Sequence, residues 1–112
     1  RNIVATAMLT NYDRDYENYP TLWSKCDNYL VIHRIAMIRN KRNQGVGRQF
    51  LSAIVEFAKK ENIDYIRIDT HKDNKIMRKF LSNFGFVELG EIKLTMKNNL
   101  DDKERIAYEL KV

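Results

Sequence analysis

The residues with the clearest chemical potential lie at positions 42–48, which read Arg-Asn-Gln-Gly-Val-Gly-Arg. They follow an apolar stretch over residues 30–38 and open an amphipathic one over residues 46–62. The first backbone amides of a helix have no intrahelical acceptor and bind anions readily. Gly45 and Gly47 lack the Cβ that would hold a ligand oxygen away from the main chain. The turn therefore predicts a phosphate-binding site, although a lone Gly-x-Gly before a helix is also typical of a simple tight turn.

Positive charge is concentrated around this turn. Lys41, Arg42 and Arg48 add full charges to the partial positive charge of the helix start. The whole chain has a net charge of +5, which favours an anionic partner without choosing among nucleic acid, a phosphorylated cofactor and an acidic surface. The turn is neither a Walker motif, which needs Lys and then Ser or Thr after the second glycine, nor a three-glycine dinucleotide fingerprint.

The elements that must position this turn follow from the periodicity of apolar residues. Helix spacing predicts one helix over residues 46–62 and a second, shorter one that Asp73 or Asn74 caps and Gly85 ends. The buried stripe predicted for the first helix consists of Phe50, Ile54, Phe57 and Ala58, and that of the second consists of Ile76, Met77, Phe80, Leu81 and Phe84. Alternating or β-branched runs predict strands over residues 3–9, 29–38, 65–70, 86–94 and 104–110.

The order of these elements predicts the fold class. Strand–helix–strand units place neighbouring strands in parallel, whereas the last two strands, joined by the polar loop 97–103, form an antiparallel hairpin. We therefore predict an α/β (α+β) fold with a mixed sheet and helices packed on it.

Length and composition predict a single domain over residues 1–112, with 44% hydrophobic residues. The one cysteine, Cys26, excludes an internal disulfide and favours a reducing, intracellular and therefore cytoplasmic setting. No apolar run is long enough to span a bilayer, so no membrane partner is expected. A nucleic-acid-binding module is disfavoured, because the basic cluster lies in one loop and is not interleaved with exposed aromatic residues.

Several motifs in this order resemble the GNAT N-acetyltransferase family. Arg42-x-x-Gly45-x-Gly47 is similar to the acetyl-CoA pyrophosphate motif of that family, Asn74 opens the next helix, and Asn83-Phe84-Gly85-Phe86 closes it. Further similarity is to a bacterial subgroup of mostly unassigned substrate, and it lies in the stretches 33–36, 67–71, 73–77 and 105–108.

The resemblance implies a mostly antiparallel sheet with a central parallel pair, in an acyl-CoA N-acyltransferase-like domain. The family's first strand, two helices and second strand have no counterpart before residue 3. An N-terminally incomplete domain of this kind would expose a sheet edge or an apolar helix face, so self-association into a homodimer is expected.

The activity implied by the resemblance is direct transfer of an acetyl group from acetyl-CoA, without a metal, to a primary amine of a small molecule or a protein. The amine must lose a proton and the leaving thiolate must gain one. The backbone of Ala36, Met37 and Ile38 matches the positions that pair with the pantetheine arm. The remaining residues matched to cofactor binding are Arg42, Asn43, Gln44, Gly45, Val46, Gly47, Arg48 and Asn74.

Three residues are candidates for the catalytic base: Asp69, His33 and His71. Asp69 lies where some relatives have a carboxylate, and histidine is the most frequent general base. Each also has a structural alternative. Asp69 could pair with Arg67 or Arg34, His33 could be a half-buried histidine, and His71 could cap a turn.

The general acid is where the chain departs from the family pattern. Many members have a tyrosine four residues before the helix-ending glycine, and this chain has Leu81 there. Tyr108 could approach the same region or could be a core aromatic. Leu81 therefore keeps a second hypothesis open, that of an acyl-CoA-binding relative with weak catalysis.

The segment 11–28 combines aromatic and acidic residues. Asp13, Asp15 and Glu17 could attract a cationic acceptor, which would make the segment one wall of an amine site. The aromatic residues, Trp23 above all, could instead anchor the segment to the sheet.

Overall fold

The computed structural model of the protein describes residues 5–37, 45–93 and 104–112. Three helices lie within these ranges, namely α1 (Arg14–Glu17), α2 (Val46–Lys60) and α3 (Lys75–Phe84). The five strands described are β1 (Ala5–Thr10), β2 (Tyr29–Met37), β3 (Tyr65–His71), β4 (Val87–Lys93) and β5 (Glu104–Lys111). The predicted hairpin loop 97–103 lies outside the described residues.

The strands form one sheet with the order β1-β2-β3-β5-β4. β2 and β3 run parallel, and the other neighbours run antiparallel. This confirms the prediction of a mixed, mostly antiparallel sheet with a central parallel pair, and β4 and β5 pair as the antiparallel hairpin. The position of β5 between β3 and β4 was not predicted, because the sequence pattern identifies hairpin neighbours but not the strand on the far side.

Helices α2 and α3 cover one face of the sheet. The boundaries of both agree closely with the prediction, because Gly45 and Asn74 precede them and Gly85 ends α3. The apolar core of this face consists of Leu30, Ile32, Leu51, Ile54, Ala58, Ile66, Ile68, Leu81, Phe86, Ile106 and Tyr108. Two residues of the predicted buried stripes, Phe57 and Ile76, are instead 45% and 57% exposed. Leu51 of α2, which was not part of the predicted stripe, is buried instead.

The opposite face of the sheet is covered by the segment 11–28, which includes the single-turn helix α1. Its buried cluster consists of Tyr16, Trp23, Val31, Ile92 and Ala107. Trp23 stacks on Tyr16 with ring centroids 4.5 Å apart and donates a hydrogen bond from Nε1 to the Tyr16 carbonyl at 3.1 Å. Trp23 therefore anchors the segment to the sheet, and the sheet separates two layers of different composition.

Candidate active site

A gap opens between the two parallel strands at the centre of the sheet. β2 and β3 pair at three positions, the last of which joins Val31 to Arg67, although β2 continues to Met37 and β3 to His71. A bulge bends β2 beyond this point, since its register with β1 shifts by one residue where Arg34 has a φ of 52°. The gap faces the carboxyl ends of the parallel strands, which is where open α/β sheets bind ligands.

The start of α2 lies at the same end of the sheet. Gly45 precedes the helix in the left-handed region, with a φ of 86°, and its carbonyl accepts the Gln49 amide at 2.9 Å. A Cβ added to Gly45 would meet no atom within 4 Å. The first-turn amides, those of Val46, Gly47 and Arg48, have no acceptor within the helix. These residues form an open cradle that suits the oxygens of a pyrophosphate.

Gly47 is required for packing rather than for ligand space. A Cβ built on it would lie 2.9 Å from Met37 Sδ and 2.9 Å from Phe80 Cζ. The absence of a side chain thus brings the first turn of α2 against β2 and α3. Arg48, one residue later, places its guanidinium over the Phe84 ring at 5.4 Å.

Asn74 caps the start of α3, which also lies at this end of the sheet. Its Oδ1 accepts the Met77 amide at 3.1 Å, so the side-chain NH2 group is the part suited to contact a ligand. At the end of β2, Ala36 and Met37 pair with Thr6 and Ala5 of β1. The structure therefore brings Ala36, Met37, Gly45, Val46, Gly47, Arg48 and Asn74 to one end of the sheet. The predicted residues that lie outside the described ranges are Ile38, Arg42, Asn43 and Gln44.

His33 and Asp69 stand on opposite sides of the gap. His33 comes two residues after Val31, and Asp69 comes two residues after Arg67, the last pair of the two strands. Side chains two residues apart in a strand lie on the same face, and Val31 packs under segment 11–28, so His33 and Asp69 lie on that face too. His33 Nε2 is 3.0 Å from Thr10 Oγ1 and 3.7 Å from Asp13 Oδ2.

The contacts of Thr10 determine which nitrogen of His33 carries the proton. The Thr10 hydroxyl donates to the Tyr12 carbonyl at 3.1 Å, so Oγ1 is an acceptor for the histidine. Nε2 then carries the hydrogen, and Nδ1 of the neutral ring is the nitrogen with a lone pair. Nδ1 is thus the nitrogen at which neutral His33 accepts a proton.

Asp69 is held by two donors. Tyr16 donates its hydroxyl to Oδ2 at 2.5 Å, and Arg105 donates Nε to Oδ1 at 2.7 Å. Burial, and then the neighbouring Asp69 carboxylate, raise the pKa of Tyr16 well above its ordinary value. The partner of Asp69 is therefore Arg105 of β5, and neither of the partners suggested by the sequence, Arg67 and Arg34.

His71 has a different environment from His33. Its Nδ1 accepts the backbone amide of Asp73 at 3.1 Å and lies 3.9 Å from the Asp73 carboxylate. The neutral ring then has its lone pair engaged in the turn that leads into α3. A catalytic role for Asp69, His33 or His71 stays a prediction, and the contacts favour His33 among the three.

Neither position considered for a general acid presents a free donor. Leu81 is fully buried in the core beneath α3. Tyr108 is also buried, and burial raises its pKa. Its hydroxyl accepts Nε of Arg78 at 3.1 Å and contacts Glu88 Oε1 at 3.2 Å, which ties it to α3 and β4.

Two residues of this site were not assigned a role from sequence. Tyr16 was one of several aromatic residues in an irregular segment, and Arg105 was one of many basic residues. Their contacts with Asp69 span 53 and 36 positions along the chain. The capping carboxylate of Asp13, which accepts the Asp15 and Tyr16 amides, was the one local signal for α1.

Two further features concern only the described part of the chain. No group of three or more His, Cys, Asp or Glu side chains is arranged to hold a metal ion there. None of its helices has the length and apolar character needed to cross a membrane.

Comparison with known proteins gives one family. The model of the Acetyltransferase (GNAT) family matches residues 1–86 of the 112. No protein of curated function matches the sequence.

Solved structures of this family share the fold. A GNAT-family acetyltransferase from Streptococcus agalactiae 2603 has 26% identity and a TM-score of 0.77, with coverage of 97% of this chain and 59% of that one. A candidate streptothricin acetyltransferase from Bacillus anthracis str. Ames, solved with acetyl coenzyme A, has 28% identity and a TM-score of 0.64, with coverage of 75% and 49%. An acetyl-CoA-bound GNAT structure from Elizabethkingia anophelis, at 18% identity, has a TM-score of 0.71, with coverage of 99% and 70%. The chain spans less than two thirds of the first two of these relatives.

Proposed function

Since the chain belongs to the Acetyltransferase (GNAT) family, we propose that it transfers an acetyl group from acetyl-CoA to a primary amine of a small molecule or a protein. The observation that carries this proposal is the gap between β2 and β3 beside the start of α2. An extended ligand in that gap can pair with the free side of β2 and place its phosphates at the helix start.

The described residues that would hold acetyl-CoA fall into two groups. The amides of Val46, Gly47 and Arg48 would bind the pyrophosphate, aided by the open space at Gly45. The backbone of Ala36 and Met37 would pair with the pantetheine arm, and the amide group of Asn74 would contact it from α3. Acetyl-CoA supplies the activated thioester carbonyl.

The acceptor would bind next to His33, on the face of the sheet that is opposite to α2 and α3. Nδ1 of His33 takes the proton from the incoming amine, and Asp13 stabilises the imidazolium that results. The amine nitrogen bonds to the acetyl carbon as the C–S bond breaks, and the coenzyme A thiolate that leaves takes its proton from water. Asp69, already bound to Tyr16 and Arg105, holds Tyr16 in place. Cytoplasmic localisation stays a prediction that rests on the single cysteine.

A second candidate function is binding of acyl-CoA with weak catalysis. The observation that favours it is Leu81, which is buried in apolar core where many relatives have a proton donor. In that case the chain would bind acetyl-CoA without rapid transfer to any amine.

Two measurements test the proposal. Calorimetric titration with acetyl-CoA should show saturable binding, and thiol release should then depend on one or more members of an amine panel. Binding without amine-dependent thiol release would support the second candidate instead. Absence of binding would contradict both.

The two histidines of the chain provide a matched test of the base. His33→Gln should lower kcat/KM by about 10²–10⁴-fold, because it removes the proton acceptor. His71→Gln should lower it by less than about threefold, the loss expected for an exposed turn of small energetic weight. The opposite ranking would assign the base to His71.

A further inference from the structure

A cavity of ≈ 360 Å³ lies on the face of the sheet opposite to α2 and α3. The residues that line it include the aromatic residues Tyr16, Trp23 and Tyr29, and Arg67 of β3, whose charge is buried. The proposed donor site uses none of these residues. The cavity is therefore a second concave site with its own chemistry.

Arg67 is 6% exposed, and its charge is only partly satisfied. The guanidinium lies 3.8 Å from the Tyr29 ring centroid and 4.9 Å from that of Trp23. Its Nη2 donates to the Ser24 carbonyl at 3.0 Å and contacts Cys26 Sγ at 3.7 Å. Its Nε is buried and has no hydrogen-bond partner. Stacking and two contacts thus hold the guanidinium in place without using all of its donors.

The nearest acidic residue in the sheet does not pair directly with this cation. Glu109 is opposite Arg67 in the β3–β5 register and is itself buried. Its carboxylate accepts the Ser24 amide at 3.1 Å and the Ser24 hydroxyl. Within the described ranges no carboxylate lies within 4.0 Å of Arg67, so a buried guanidinium faces the cavity without a directly bound anion.

Two exposed residues of opposite charge, Glu17 and Lys25, also line the cavity. Glu17 accepts the Tyr29 hydroxyl at 2.5 Å. Arg67, by contrast, is the buried charge. Selection of a ligand by charge is therefore expected to depend mainly on Arg67.

We propose that this cavity binds a small aromatic carboxylate. The ring of the ligand packs against Tyr29 and Pro20 at the cavity wall, and the carboxylate accepts charge-assisted hydrogen bonds from Arg67. The proposal does not rest on the donor site, because the cavity lies on the other face of the sheet from the start of α2, although it shares that face and Tyr16 with the proposed acceptor site.

Trp23 is the only tryptophan of the chain, so its fluorescence reports directly on this cavity. The probes are benzoate and its uncharged isostere benzamide. Benzoate should change Trp23 emission saturably, and benzamide should bind at least about tenfold more weakly, since it cannot form the charge-assisted bonds. Equal affinities, or no saturable change with benzoate, would overturn the proposal.

Substitutions place the benzoate in the cavity. Arg67→Gln should weaken benzoate binding at least about tenfold, and Lys59→Gln, which removes an exposed cation of α2, should leave it unchanged. Circular dichroism checks that each variant is folded. If Arg67→Gln does not fold, the benzoate and benzamide affinities of the unmodified chain still decide the matter.

Competition with acetyl-CoA excludes the other anion site. Benzoate should bind equally well in the presence of saturating acetyl-CoA, because the two sites lie on opposite faces. Displacement of benzoate by acetyl-CoA would place it in the cradle at α2 and would overturn the proposal.

Discussion

The two faces of the sheet are stabilised by different interactions. Under α2 and α3 the core is apolar, and fully buried residues such as Leu51 and Leu81 fill it. Under the segment 11–28 the layer includes hydrogen-bonded and charged groups, among them the half-buried pair Asp69 and Arg105 and the buried Arg67.

The two faces therefore have different roles in the molecule. Apolar packing fixes the helices whose first turns form the proposed donor site, and it requires only side chains of suitable volume. Polar networks on the other face orient specific atoms, such as Nδ1 of His33 and the hydroxyl of Tyr16, and they need the right partner at each position. Substitutions should therefore act on stability on the helix face and on chemistry and pH dependence on the other.

The largest expected effect on stability is on the helix face. Leu81→Ala should lower the free energy of unfolding by about 3 kcal/mol, because the side chain is fully buried and leaves a cavity. Ile76→Ala in the same helix, at a 57% exposed position, should change it by less than about 0.5 kcal/mol. Urea unfolding measures both, and similar losses would show that the face is not packed as described.

A smaller effect with a pH signature is expected on the other face. Tyr16→Phe should cost about 1–2 kcal/mol, because Asp69 loses a hydrogen bond. The pKa of Tyr16 is raised above its ordinary 10.0, so the neutral form is favoured in the folded state. Its contribution is complete below pH 10.0 and is lost as the pH rises above that value.

Alkaline unfolding curves test the sign of this effect. The stability of the unmodified protein should fall above pH 10.0, and that of Tyr16→Phe should fall less steeply. Tyr12→Phe, at a 57% exposed position, serves as the control and should leave the curve unchanged. A Tyr16→Phe curve as steep as that of the unmodified protein would mean that Tyr16 ionises as readily as it does in the unfolded chain.

The smallest effect on stability is expected at the cradle itself. Gly45→Ala should cost about 1 kcal/mol, since the φ of 86° disfavours a residue with a Cβ. It should also raise the Kd for acetyl-CoA about tenfold by filling space beside the phosphates. Gly90→Ala, also at a positive φ but in β4, should cost stability without changing that Kd. An equal change of Kd in both variants would remove Gly45 from the site.

The elements and the starts of α2 and α3 could be predicted from sequence because their signals are local. Gly45 and Asn74 lie within one residue of the helices that they begin, and a capping residue is recognisable from its neighbours. The alternation of Ile66 and Ile68 with Arg67 and Asp69 likewise identified β3 and its two faces.

The other face could not be predicted because its contacts are distant along the chain. The partners that the sequence suggests for Asp69 are Arg67 and Arg34, whereas the actual partner, Arg105, comes from β5 and lies 36 positions away. That pairing depends on the insertion of β5 beside β3, which the periodicity of the residues does not specify. Phe57 is exposed for a simpler reason. Helical spacing predicts which side of a helix faces the core, but it does not predict how many residues at the edges of that side are buried.

The central claim is that acetyl-CoA binds at the start of α2 and in the gap between β2 and β3. The most direct test is a titration of the isotopically labelled protein with acetyl-CoA, followed by backbone amide resonances. We expect the largest shifts at residues 45–48, at Asn74 and along β2 beyond Val31. Shifts confined to the cavity around Arg67, or no shifts at all, would contradict the account.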